Sequence, residues 1–133
     1  MRYAVLGDIH ANLTALEAVL AAIQAAEVDL ILSVGDVVGY GAQPRETVQL
    51  LREIGAMIVK GNHDAAVVGE LDTRFFNPFA RAAADWTAQE LSREDRTWLK
   101  ELPLVRDFEH CSLAHGPFAH PERCAYIQST EDA

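Results

Sequence analysis

The sequence predicts an α/β domain organised on a parallel sheet. Three observations carry that expectation. Short apolar runs alternate with longer stretches whose apolar residues recur at three and four. Three of the runs stop at a glycine followed at once by an oxygen donor, in Gly7-Asp8, Gly35-Asp36 and Gly61-Asn62. The 133 residues, half of them apolar, suit one compact domain over residues 1–133, with no internal boundary and no low-complexity segment.

Residues 2–6 read as a strand ended by Gly7. Residues 13–26 read as a helix, because Leu13, Leu16, Val19, Leu20 and Ile23 make one apolar face. Asn12 is placed to be its N-cap. Residues 30–34 form a second apolar run before Gly35. Pro44 opens a second helix at a first-turn position, and that helix runs to about Ile54 before Gly55. Residues 56–59 make a third strand, ended by Lys60 and Gly61. Strand, helix, strand, helix, strand implies right-handed crossovers and parallel pairing.

The next stretch is more helical. Asn77 and Pro78 make an N-cap and first-turn pair for a helix over residues 79–89. Ser92 with Asp95 resembles a capping box for a helix running to about Glu101, stopped by Pro103. Trp86 and Trp98, on helix faces, are expected in the core, and Cys111 is expected as a small buried hydrophobe. Residues 104–108 and 111–114 read as two strands about a tight turn at Glu109 and His110. Residues 128–133 are polar and expected to fray.

A net charge of −9 argues against a nucleic-acid duplex as partner. It leaves phosphate chemistry open, because bound divalent cations reverse the sign of a site. No apolar run reaches transmembrane length, so no membrane partner is expected. No basic segment precedes an apolar stretch with a cleavage site, and the two cysteines, Cys111 and Cys124, form no CxxC. Reduced thiols and a cytoplasmic location are the expectation.

Parallel strands bring their C-terminal ends to one edge of the sheet, where ligands bind. Asp8, Asp36 and Asn62, far apart in the chain, are therefore predicted to meet. His10 lies two residues beyond Asp8, which in extended chain turns both side chains the same way. Asp36 offers two oxygens that could bridge two cations. His115 ends the last strand before Gly116 and could reach the same crevice. Imidazole suits Mn, Fe, Zn or Ni and carboxylate suits Mg and Mn, so the set selects no single metal. Two cations roughly 3.5–4 Å apart would acidify a water and clamp phosphoryl oxygens. His63 is placed to protonate a leaving group or to hold the phosphate, and Asp64 to fix its tautomer and raise its pKa. Tyr40, between Gly39 and Gly41, lines the cleft or faces solvent.

The motifs GDIH (7–10), VGDVVGYG (34–41), KGNHD (60–64) and LAHG (113–116) together resemble the calcineurin-like metallophosphoesterases, in particular their small bacterial and archaeal phosphodiesterase branch. The similarity extends over nearly the whole chain. The resemblance implies an αββα sandwich with two divalent metal ions between its loops. Asp8 and His10 would hold the first ion, Asp36 would bridge, and Asn62 and His115 would hold the second. His63 would be the catalytic histidine facing a small phosphate-ester substrate, which a metal-activated hydroxide attacks. The family's Gly-His-Thr-His segment, which gives one histidine to each metal, has no counterpart here, so the resemblance implies a C-terminally truncated sandwich, the N-terminal two-thirds of the usual domain. Such a chain would hold metal more weakly. It would cover its open sheet by self-association into a homo-oligomer or with a partner chain, or serve as a catalytically impaired metal-binding module. His120 is a weaker candidate for a substitute ligand, as readily read as an exposed loop residue. Ala11 and Ala42 stand where relatives carry Gly and Pro.

Overall fold

In the computed structural model, which describes residues 1–132, three parallel strands occupy the middle of the chain's layers. They run in the order β1 (Tyr3–Leu6), β2 (Leu30–Ser33), β3 (Met57–Ile58). Tyr3 lies opposite Leu30 and Leu6 opposite Ser33, while Leu32 and Ser33 lie opposite Met57 and Ile58. The helices are α1 (Leu13–Ala25), α2 (Pro44–Glu53), α3 (Asn62–Val67), α4 (Pro78–Glu90) and α5 (Arg93–Glu101). An antiparallel pair, β4 (Val105–Asp107) with β5 (Ser112–Ala114), follows. Expected strands and helices are found within about two residues of their expected ends, while α3 and three short 3-10 turns were not foreseen. One of those turns, Thr130–Asp132, lies in the stretch expected to fray, and residue 133 lies outside the described residues.

The strands' period of two sorts the core into two clusters. Leu6 and Ile58 face the helices, where Leu16, Val48, Leu51, Leu91 and Leu99 are buried. Leu32 and Val59 face the other way, against Leu113, Phe108 and Cys111 of the β4–β5 pair. Fully burying side chains such as Leu32, Leu51 and Leu99 contributes about 1.5–3 kcal/mol each. Helices, parallel sheet and hairpin thus stack as an α, a β and a β layer, which is the mixed α/β order the motifs led us to expect. Cover is uneven: Val5, on the hairpin-facing side of the edge strand β1, is 59% exposed.

Caps fix the helix starts. Asn12 Oδ1 accepts from the Ala15 amide at 3.1 Å, and Asn77 Oδ1 from the Ala80 amide at 2.9 Å. The Ser92–Asp95 box closes in both directions, at 3.1 and 3.2 Å, although Asp is shorter than the usual Glu. Trp98 packs against the core as expected, but Trp86 does not: its turn of α4 faces outward and it is 41% exposed. Cys111 is only half-buried, on the smaller cluster.

Candidate metal centre

The loops after β1 and β2 stay stitched together beyond the strands. The amide of Asp8 donates to Gly35 O, that of His10 to Asp36 O and that of Ala11 to Val37 O, at 3.2, 2.9 and 2.8 Å. Asp8, His10, Ala11, Asp36 and Tyr40 all lie in the left-handed backbone region, at φ between 47 and 58°. Such conformations cost energy for residues other than glycine and gather where a site over-determines them. Gly35 (φ 98°) lets the third loop approach: a Cβ there would stand 2.5 Å from the Gly61 amide nitrogen.

Asp36 is the hub of the arrangement. It is buried, and its two oxygens have separate partners. Oδ1 accepts from the His63 amide at 2.9 Å, near the start of α3. Oδ2 lies 3.6 Å from His10 Nε2 and 3.6 Å from His115 Nε2. Both histidines are oriented from behind. His10 Nδ1–H donates to Val38 O at 3.0 Å, and His115 Nδ1–H to Val34 O at 2.7 Å. A carbonyl only accepts, so Nδ1 carries a hydrogen in each ring and Nε2 is the atom turned toward Asp36. His115 Nε2 also stands 2.9 Å from Asn62 Oδ1, a second acceptor. Histidines braced from behind by carbonyls, with Nε2 turned to a shared carboxylate, are the usual support of a cation site.

By distance, the ligand atoms fall into two sets that share Asp36. Those of His10, Asp36 and His63 lie within 4.8 Å of one another, as do those of Asp8, Asp36 and His115. Asp8, His10, Asp36, Asn62 and His115 are therefore all brought to one rim. Distance groups Asp8 with His115, whereas the motif pattern paired it with His10. His120 is not part of either set; it is exposed, on a left-handed turn, 3.4 Å from Glu122.

Asp64 does other work than expected. Its Oδ2 accepts from the Gly61 amide at 2.9 Å and its Oδ1 from the Val38 amide at 3.1 Å, so it clasps two loops. It does not orient the His63 ring, whose buried Nδ1 has no hydrogen-bond partner and abuts Gly39. Burial, with the Asp36 charge second, pushes the Asp64 carboxyl up to about 7 against the pull of those amides. Burial likewise lowers the His63 pKa, opposite to the rise expected from an adjacent Asp64. A neutral His63 with no acceptor at Nδ1 carries its hydrogen on Nε2.

Aromatic rings complete this surround. His63 packs against Phe76, with centroids 4.7 Å apart, and against Tyr40 and His10, each at 4.8 Å. Tyr40 is half-exposed at the rim and also meets the His10 ring edge-on at 5.0 Å. Phe76 follows a 3-10 turn, just ahead of the Asn77 cap; the segment at Phe76 and Asn77 fits the family resemblance, but no site role was expected of the ring.

An α/β domain with candidate metal-binding side chains gathered at the C-terminal rim of its sheet about one shared carboxylate is the class that fold and site define. The calcineurin-like phosphoesterase profile matches residues 1–130, and the chain belongs to that family. It is 38% identical over 128 residues to the uncharacterized protein MJ0912 of Methanocaldococcus jannaschii, covering 93% of this chain and 53% of that one. It is 31% identical over 107 residues to serine/threonine-protein phosphatase 2 of Escherichia coli, covering 80% and 48%. Among solved structures it resembles a metallophosphoesterase from Sphaerobacter thermophilus, with a TM-score of 0.76 and 45% identity over 91% of this chain and 49% of that one. The chain spans about half the length of each of these relatives. Among the described residues no helix is long and apolar enough to cross a membrane.

Proposed function

We propose that this chain carries the metal-binding half-site of a phosphoesterase that hydrolyses a phosphomonoester or phosphodiester. The observation that carries the reading is the convergence of ligand atoms: His10 Nε2 and His115 Nε2 each lie 3.6 Å from Oδ2 of the buried Asp36, and His115 Nε2 lies 2.9 Å from Asn62 Oδ1. Asp8 adds a further carboxylate. This donor set fits divalent cations such as Mn, Fe, Zn, Ni or Mg, held by Asp8, His10, Asp36, Asn62 and His115. When bound, such ions supply Lewis acidity, acidifying a water and neutralising phosphoryl charge. His63, neutral and carrying its hydrogen on Nε2, donates to a phosphoryl oxygen. That role suits a ring whose basicity is lowered by burial better than the proton delivery the motif alone suggested. Tyr40 and Phe76 hold that ring in place, and Asp64 holds the loop that carries it. The phosphatase name of the Escherichia coli relative agrees with this chemistry.

A second reading, a metal-binding module without turnover, draws on the small size of the two sets, each with three such residues, one of them shared. The test is metal content by elemental analysis, with hydrolysis of nitrophenyl phosphate mono- and diesters in Mn or Ni. Two ions per chain and turnover of either ester are expected, with Asp36→Asn and His63→Ala each lowering kcat at least about 100-fold. Fully metallated protein that cleaves neither ester overturns the first reading and leaves the second.

A further inference from the structure

A cavity of about 250 Å³ opens beside Asn62, between the turn that precedes α4 and the 3-10 turn Pro121–Arg123. Its walls are unlike the rest of this acidic chain. Phe75 and Tyr126 line it while remaining 90% and 80% exposed, and Phe76 links it to His63 by ring contact. Two large aromatic rings thus stand around one hollow that also reaches Asn62. Charge points the same way. The acid on the wall, Asp72, is held by Arg74 through contacts of 2.6 and 2.9 Å, so its charge is answered locally. Arg123 also lines the cavity, exposed, and among the described residues its one ion pair is a loose contact with Glu122 at 3.9 Å.

We propose that this cavity is the subsite for the organic half of the ester, and that it selects an aromatic one, an aryl or nucleobase group. The inference rests on the phosphoesterase reading for the site next to it. With the phosphoryl group at Asn62, the adjoining substituent enters between Phe75 and Tyr126. An aromatic face stacks there on either ring, and Arg123 lies over it or meets an anionic oxygen at its edge. The volume, just under the roughly 300–1,000 Å³ of drug-sized clefts, admits one ring system and excludes a peptide or a second nucleoside.

The experiment compares Phe75→Ala and Tyr126→Ala with the parent chain on an aryl and a short alkyl phosphate ester. Taking each variant relative to the parent cancels the intrinsic reactivity of the two esters. Both side chains are exposed, so neither variant is expected to disturb folding. The aryl ester should lose about ten-fold more kcat/KM than the alkyl ester in each variant. Calorimetry with phenylphosphonate and methylphosphonate reads the pocket without turnover: phenylphosphonate should bind about ten-fold tighter, and each variant should erase that preference. Equal losses on both esters, or equal affinity for both phosphonates, overturn the subsite. An aryl preference in binding without hydrolysis of any ester keeps the subsite and overturns the phosphoesterase reading instead.

Discussion

Gly61 carries no side chain because Asp36 occupies the space one would need. A Cβ there would run into the Asp36 carboxylate and amide, although φ of −89° suits any residue. Gly61→Ala should therefore displace the shared carboxylate. The expected outcome is loss of bound metal by elemental analysis, with about 1–3 kcal/mol of stability lost in denaturant unfolding. Gly55→Ala is the control. It is strained by φ of 66° but has open space around it, so it should cost about 1 kcal/mol and keep its metal. The meeting of Asp8, Asp36 and Asn62 at one rim was legible in the sequence because each of the three follows a strand-ending glycine. What each atom does was not. Nothing local to Asp64 says that its oxygens go to Gly61 and Val38 rather than to the next-door ring. Ala11 shows the same limit: it is buried at φ of 54°, which explains why relatives were expected to carry glycine there, yet alanine is accommodated.

Among the elements, the caps carry the prediction. Asn12→Ala and Ser92→Ala each remove an N-cap acceptor and should each cost about 1 kcal/mol in chemical denaturation. Their effects should part in a metal titration. α1 begins two residues after the His10 turn, so Asn12→Ala should also weaken metal binding, while Ser92→Ala, far from the rim, should leave it unchanged. The elements that were legible are those whose start and stop signals are local: Asn12, Pro44, the Asn77–Pro78 pair, the Ser92–Asp95 box and Pro103. α3 was missed because its N-terminus is satisfied from elsewhere. The His63 amide finds Asp36, 27 residues back, and no periodicity within six residues betrays the helix. The contact of Phe76 with His63 escaped for a like reason, since its partner is a ring on another element.

For the molecule as a whole, three carboxylates and three histidines converge on one sheet rim in a chain of net charge −9. Cations that bind the folded state alone should stabilise it by about 2.7 kcal/mol at a hundred times their Kd. Scanning calorimetry should accordingly show Tm rising with added Mn or Ni, and the rise should vanish in Asp36→Asn. The parallel order of the sheet was legible because alternating elements and right-handed crossovers leave few topologies. How far the hairpin spreads over that sheet was not, for it depends on contacts such as Tyr3 with Phe108, 105 residues apart, and it stops short of Val5.

Asp36 divides its labour by atom, one oxygen fastening the His63 amide and the other turned to the two imidazoles. On the proposed reading, ion capture and the anchoring of a helix thus hang on a single residue. Selection is left no way to retune the first at this position without unmooring the second, so adjustment must come from the neighbours: the loop tilts, the braces behind each ring, and the side chains that frame the entrance.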